Sequence, residues 1–194
     1  MPDERLRIAV IIGSTRQGRF APTVADWFMS EAGQRAELDF DLIDLADSQL
    51  PAHLASSAPP GSAEALREFT ERLDAADGFV IVVPEYNHSY PAVLKSAIDW
   101  SYTQWQAKPV GFVSYGGRAG GIRAVEHLRQ VFCEMHATTL RDNISFHGGA
   151  SQFGPDGRPL DAQDASAAAA VMLDQLTWWA LALAEARARR PYKA

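Results

Sequence analysis

Gly78-Phe79-Val80-Ile81-Val82-Val83-Pro84-Glu85-Tyr86-Asn87-His88-Ser89-Tyr90-Pro91 decides the fold. It opens on a continuous apolar run, the pattern of a strand buried on both faces, as in a parallel sheet. The chain leaves that strand through a polar, aromatic segment bounded by two prolines. Pro91 stands where a helix begins, ahead of Ala92-Val93-Leu94-Lys95-Ser96-Ala97-Ile98-Asp99-Trp100. Open α/β sheets bind ligands at the carboxyl ends of such strands. Proline, tyrosine and asparagine there suit a flat heteroaromatic ligand, its face on the loop and its edge hydrogen-bonded.

Working outward, Arg7-Ile8-Ala9-Val10-Ile11-Ile12 is a second buried-strand pattern, running into Gly13-Ser14-Thr15-Arg16-Gln17-Gly18-Arg19-Phe20-Ala21-Pro22. Glycine lets backbone approach a ligand, and hydroxyls with free helix N–H groups bind phosphate oxygens. Arg16 adds a fork of donors. The same residues also read as ordinary helix capping beside a solvated arginine, and at this point both readings stand.

Further strands fall at Leu38 to Asp44, whose alternation marks an edge, at Val110 to Ser114, and within Thr138 to Phe146. Helices fit at Pro22 to Ala32, Ser62 to Ala75 with Ser62 as N-cap, Pro91 to Tyr102, Ile122 to Met135 and Asp161 to Ala188. Five strands alternating with five helices predict an α/β, flavodoxin-like, doubly wound five-stranded parallel sheet of order 2-1-3-4-5, helices on both faces. That order puts the switch point between strands one and three, which carry the two polar loops. Residues 1–194 read as one domain. Tyr115-Gly116-Gly117-Arg118-Ala119-Gly120-Gly121 follows strand four, and its place favours ligand contact over mere flexibility. Residues 47–60 read as a surface loop or lid.

Net charge is −6, so no basic field draws the chain to nucleic acid. No apolar run is long enough to predict a bilayer span. Cys133, the only cysteine, falls in a helical pattern and is expected to be a buried structural thiol. A lone cysteine suits a reducing, cytoplasmic setting. The charged Met1-Pro2-Asp3-Glu4-Arg5 does not read as a signal peptide. A dinucleotide fingerprint, a Walker lysine and a nucleophile elbow are all missing. The five histidines show no metal-ligand spacing, so no metal site is expected. Trp100, Tyr102 and Trp105 end the helix after the site loop and are read as interface aromatics.

Gly13-Ser14-Thr15-Arg16, together with Pro84-Glu85-Tyr86-Asn87-His88-Ser89, Pro91, Leu94, Lys95 and Ala97-Ile98-Asp99-Trp100, resembles the NADPH-dependent FMN reductase family. That flavodoxin-like group includes quinone, azo-dye and chromate reductases. Ser114-Tyr115-Gly116-Gly117 with Gly120-Gly121 is similar to its third loop. The resemblance covers roughly Ile8 to Phe146. Ser96 departs from the asparagine common in the family. The resemblance implies that Ser14 and Arg16, joined by Gln17 and Ala21, hold the FMN phosphate. It implies that Pro84, Glu85, Tyr86 and Asn87 wrap the isoalloxazine, and that Ser114, Tyr115 and Gly116 face its pyrimidine end. It further implies NADPH or NADH as donor, a quinone, azo compound, metal oxyanion or free flavin as acceptor, and a homodimer or homotetramer. No catalytic side chain is named, because the chemistry belongs to the flavin. An FMN-binding electron carrier or redox sensor is the alternative.

Overall fold

The computed structural model describes residues 5–193; the charged lead-in Met1–Glu4 lies outside them. The strands are β1 (Leu6–Ile12), β2 (Leu38–Asp44), β3 (Gly78–Pro84), β4 (Pro109–Gly116), β5 (Thr138–Thr139) and β6 (Ile144–His147). All pair in parallel, in the order β2-β1-β3-β4-β5, with β6 also on β4. The helices are α1 (Ala21–Ala32), α2 (Ala63–Ala75), α3 (Ala92–Asp99), α4 (Ile122–Glu134) and α5 (Ala162–Arg189).

Alternation along the central strands makes two cores. Ile8, Val10, Val80, Val82 and Val113 face α1 and α5. Ala9, Ile11, Phe79, Ile81 and Phe112 face α2, α3 and α4. Because both faces are covered, β1 from Ile8 onward and all of β3 are buried and read as unbroken apolar runs. β2 lies at the edge, with Asp39 and Leu42 exposed, as its alternation predicts.

The fifth strand is broken in two. Thr138 and Thr139 pair with Pro109 and Val110, and pairing resumes at Ile144 opposite Val113. Residues 140–143 thus bridge a gap that β4 spans with Gly111 and Phe112 alone, a local excess of the kind that makes a bulge. The Arg129 guanidinium fills the break, donating to the carbonyls of Leu140 and Arg141 (2.9 Å to the latter). A Cβ on Gly111 would lie 3.2 Å from Leu140 and 3.3 Å from the Met172 sulfur, so the missing side chain admits both.

Three expectations change. Cys133 is exposed, because α4 buries Ala124, Val125, Leu128 and Phe132 and position 133 turns off that face. Trp105 is core, not interface: it is 1% exposed, packs tilted against Phe79 with ring centroids 4.6 Å apart and donates from Nε1 to Ser101 O at 2.8 Å. Trp100 is half-buried and pins the 47–60 loop through Nε1–H to Pro51 O (3.0 Å). α5 is long and apolar enough, by length and composition, to cross a membrane. Here its inner face, with Ala165, Ala169, Met172, Leu173, Leu176 and Ala180, packs on the sheet as a core helix.

At the amino ends of the strands, Lys108 is buried and donates to the α2 carbonyls of Leu73 (2.8 Å) and Asp74 (3.1 Å). Burial, then the nearby Arg187 charge, lowers its pKa from 10.5 to about 8. Between those values the unfolded chain carries a proton that the folded chain lacks, so Lys108 makes stability rise with pH across that window. The stability of wild type relative to Lys108→Met should therefore increase by up to about 3 kcal/mol from pH 7 to pH 10. Guanidinium midpoints at the two pH values measure it, and a flat difference counts against the buried charge.

Candidate functional site

Three loops meet at the carboxyl ends of β1, β3 and β4. The first starts at Gly13, whose N–H donates to Val82 O at 2.9 Å. A Cβ on Gly13 would sit 3.0 Å from Leu94 and 3.3 Å from that carbonyl, so only glycine threads here without displacing a neighbour. Among the described residues, the amides of residues 14–18 have no hydrogen-bond acceptor. The first turn of α1 follows at once, with its own free N–H groups. A run of unused donors leading into a helix start has the form of an anion cradle.

That loop is braced from beneath. The Arg19 guanidinium grips the Asp44 carboxylate with two bonds, 2.7 and 2.5 Å, and also donates to Ser14 O. The two side chains are only 15% and 18% exposed. The hydrogen bond to Asp44 holds the Arg19 guanidinium above its ordinary pKa, against the pull of burial. Ser14 O is thus taken by Arg19, while the amides around it keep no acceptor among the described residues. Arg16 and Gln17 are exposed beside them, and Ala21 is buried at the helix start.

The second loop is a tight turn. Tyr86 N donates to Ser89 O (2.8 Å) and Ser89 N returns a bond to Tyr86 O (3.0 Å). Asn87 has φ 48° and His88 φ 73°, the paired positive angles of a type I′ turn, built without glycine. Asn tolerates this region; His88 carries a cost of about 1 kcal/mol. His127 of α4 supports the turn, its Nδ1 2.9 Å from Ser89 Oγ and its ring 6.1 Å from that of His88. The Asn87 side chain is exposed and has no hydrogen-bond partner among the described residues.

The third loop turns on Gly120 (φ 59°) and Gly121 (φ 90°). A Cβ on Gly121 would fall 2.6 Å from Ser114 Cβ and 2.8 Å from Tyr115 N. Beyond it, the amides of Gly117, Arg118 and Ala119 have no acceptor among the described residues, and a Cβ on Gly117 would meet open space.

The loops are tied to one another. The Ser14 and Tyr86 hydroxyls share a 2.8 Å hydrogen bond. Glu85 N donates to Tyr115 O at 3.0 Å, and the Glu85 carboxylate accepts from the amide and guanidinium of Arg123 at 3.3 and 2.9 Å. Burial, and next the neighbouring Tyr86, push the Tyr115 phenol well above its usual pKa, so it stays neutral. Pro84 is buried at the end of β3. Ser114 Oγ lies 2.9 Å from Gly120 O and 2.8 Å from Ser145 Oγ, holding the glycine loop down.

The fold thus brings together every residue singled out from sequence, in two groups. Arg16, Gln17, Asn87 and Gly116 stand at or near the surface, beside unused donors. Ser14, Ala21, Pro84, Glu85, Tyr86, Ser114 and Tyr115 build the scaffold beneath. Sequence reading missed Arg19, Asp44, Arg123 and His127, which act only through neighbours remote in the chain. Clefts of about 670 and 660 Å³ open elsewhere, beside α2 and between α1 and residues 155–166. The first reaches the site only through Asp44.

Comparison with known proteins agrees with this geometry. Residues 6–151 match the family model described as NADPH-dependent FMN reductase. An NAD(P)H-dependent FMN reductase of Schizosaccharomyces pombe is 38% identical over 62% of this chain and 65% of its own length. A 2-hydroxy-1,4-benzoquinone reductase of a Burkholderia species is 37% identical over 60% of this chain. The chain spans under two thirds of each of these two, 65% and 58%. A quinone reductase of Escherichia coli K12 is 35% identical over 77% of this chain and 80% of its own. In fold, the flavoenzyme NAD(P)H:(acceptor) oxidoreductase of Paracoccus denitrificans superposes with a TM-score of 0.71 over 90% of this chain and 97% of its own, at 23% identity. With three quarters of its length matched, this chain belongs to the NADPH-dependent FMN reductase family.

Proposed function

We propose that the protein is an FMN-dependent NAD(P)H oxidoreductase that reduces quinone-class acceptors. The observation that carries this reading is the convergence at the switch point of two sets of unused backbone donors with the exposed Asn87 side chain. The amides of residues 14–18 suit a phosphate, the turn at Asn87 suits the edge of a flat ring, and the amides of 117–119 suit its electron-rich end. Bound FMN supplies the two-electron chemistry that links NAD(P)H to the acceptor. The chain's share is to bind, orient and hold charge: the Ser14–Tyr86 and Glu85–Arg123 links keep the loops in register with one another. A quinone is favoured as acceptor by relatives bearing quinone reductase names. A cytoplasmic setting belongs to the same proposal, since a reducing compartment keeps the exposed Cys133 thiol free.

Cofactor released by heat should co-migrate with FMN. NADPH or NADH added without oxygen should bleach the flavin, and a quinone added afterwards should restore it without more donor. Steady-state plots should then be parallel, the mark of donor and acceptor using one site in turn. Release of FAD, or intersecting plots, would reject the arrangement. A flavin that dithionite reduces and neither nicotinamide does would mark an electron carrier instead.

Arg16→Ala should weaken FMN by about 1.5–3 kcal/mol, one to two decades, through loss of a charge-assisted bond to phosphate. Arg118→Ala should change it less. Titration of apoprotein decides, and equal affinities for the two variants would sink the phosphate assignment.

A further inference from the structure

The end of β6 holds the third loop from outside. Gly148 N–H donates to Gly116 O at 2.9 Å and to Gly117 O at 2.8 Å. His147, which pairs with Gly116 in the sheet, places its Nδ1 3.1 Å from Arg118 O. A carbonyl only accepts, so Nδ1 carries the hydrogen. The carbonyls of residues 116–118 thus all turn to one corner.

A trans peptide group is planar, and its N–H points opposite its C=O. The N–H groups that share planes with those carbonyls belong to Gly117, Arg118 and Ala119, the free donors of the loop. Whatever fixes the carbonyls therefore aims the amides, away from the corner. Successive amides turned to one side form an anion-binding concavity.

The corner is itself fixed. Phe146 is buried against Trp27 and Phe153, with ring centroids 5.0 and 4.7 Å away. Ser151 Oγ donates to Gly148 O at 3.1 Å. The His147 ring lies against Gly120, where a Cβ would fall 2.8 Å from Cδ2 and 2.9 Å from Cγ and Nε2.

We propose that His147 is a positioning residue for the reduced cofactor. By holding Arg118 O it aims the Ala119 amide at the electron-rich end of the flavin ring, and so sets how much more tightly the site binds reduced than oxidised FMN. The proposal rests on the reductase reading above. A hydride brings two electrons and one proton to a neutral ring, which gains one negative charge. Hydrogen bonds to a charged acceptor are worth more than those to a neutral one, so an aimed amide favours the charged form.

The test is the reduction potential of FMN on the protein, from anaerobic titration against a reference dye, beside the affinities of oxidised FMN and riboflavin. His147→Leu keeps bulk but loses the donor. It should make reduced FMN bind about five- to tenfold more weakly relative to oxidised, a potential about 20–30 mV lower for a two-electron couple. His147→Asn carries an amide nitrogen one bond from Cγ, as Nδ1 is, and should stay within about twofold of wild type. Oxidised FMN and riboflavin should change less than about threefold in either variant. A wild type that takes up no FMN overturns the reductase reading and this one with it. FMN bound at one potential in all three proteins overturns the role of His147 alone. So does an asparagine variant that falls with the leucine one, or equal weakening of oxidised and reduced FMN, the mark of general loosening.

Discussion

Arg19→Gln is expected to weaken FMN about a hundredfold while leaving riboflavin within about twofold of wild type. The two flavins differ in the phosphate alone, and Arg19 acts on the loop proposed to hold it. Its guanidinium holds Ser14 O and the Asp44 carboxylate together. Without that grip the carbonyl is free to turn, and the amides around it turn with it. The pair is largely buried, so removing one partner also costs about 3 kcal/mol of stability by leaving Asp44 uncompensated. Riboflavin is the control that separates the two effects: general loss of fold weakens both flavins, misdirected amides only FMN. Arg19→Lys, which keeps the charge but loses the fork, should fall between. Fluorescence titration of the apoprotein with each flavin measures all of this. Equal losses for the two flavins would remove Arg19 from any role at the phosphate.

Gly121→Ala should act on both flavins. At φ 90° the residue lies where a side chain is strained, by about 1–2 kcal/mol. The added Cβ would meet Ser114 Cβ at 2.6 Å and Tyr115 N at 2.8 Å, neither the end of a flexible chain. Relief requires the loop to lift off β4, breaking the Ser114 link to Gly120 O. Strain and overpacking together should cost about 3 kcal/mol of stability, and FMN and riboflavin should both bind at least about tenfold more weakly. Thermal melts and the same titrations check it. Gly117→Ala is the control, because a Cβ there meets open space; an equal loss in both variants would show that the loop tolerates no side chain anywhere, and would refute the account based on Gly121.

The contrast between what was legible in sequence and what was not follows from the range of the interactions. β1 and β3 were readable because burial on both faces forces an unbroken apolar run, and β2 because an edge permits Asp39 and Leu42 to face water. Strand order followed from right-handed crossovers between such elements. The break between β5 and β6 was not readable: it depends on Arg129 reaching two carbonyls across the fold. Position 133 has an apolar, helical neighbourhood, and only the angle at which α4 docks exposes its thiol. Trp105 illustrates the reverse, an aromatic cluster that looks like an interface until Phe79 and Phe132 close around it. At the site, the residue types were visible but their division of labour was not. Ser14 and Ser114 carry hydroxyls suited to a ligand, yet Tyr86 and Gly120 claim them. Arg19 and Arg16 are three residues apart with the same chemistry. Only the parallel register of β1 and β2, which sets Ile12 beside Asp44, tells which one is a brace.

Lys108 and the three loops lie at opposite ends of β4, with about 23 Å of strand between Pro109 and Gly116. Changes this far apart with no shared partner add independently. The protein therefore offers engineers two separable handles. Replacing the buried cation at one end can raise stability at neutral pH and below, where Lys108 carries its charge, while the turns at the other can be varied to admit different acceptors. A directed-evolution campaign can bank robustness first at the amino edge of the sheet, then accept the destabilising loop variants that new specificity demands.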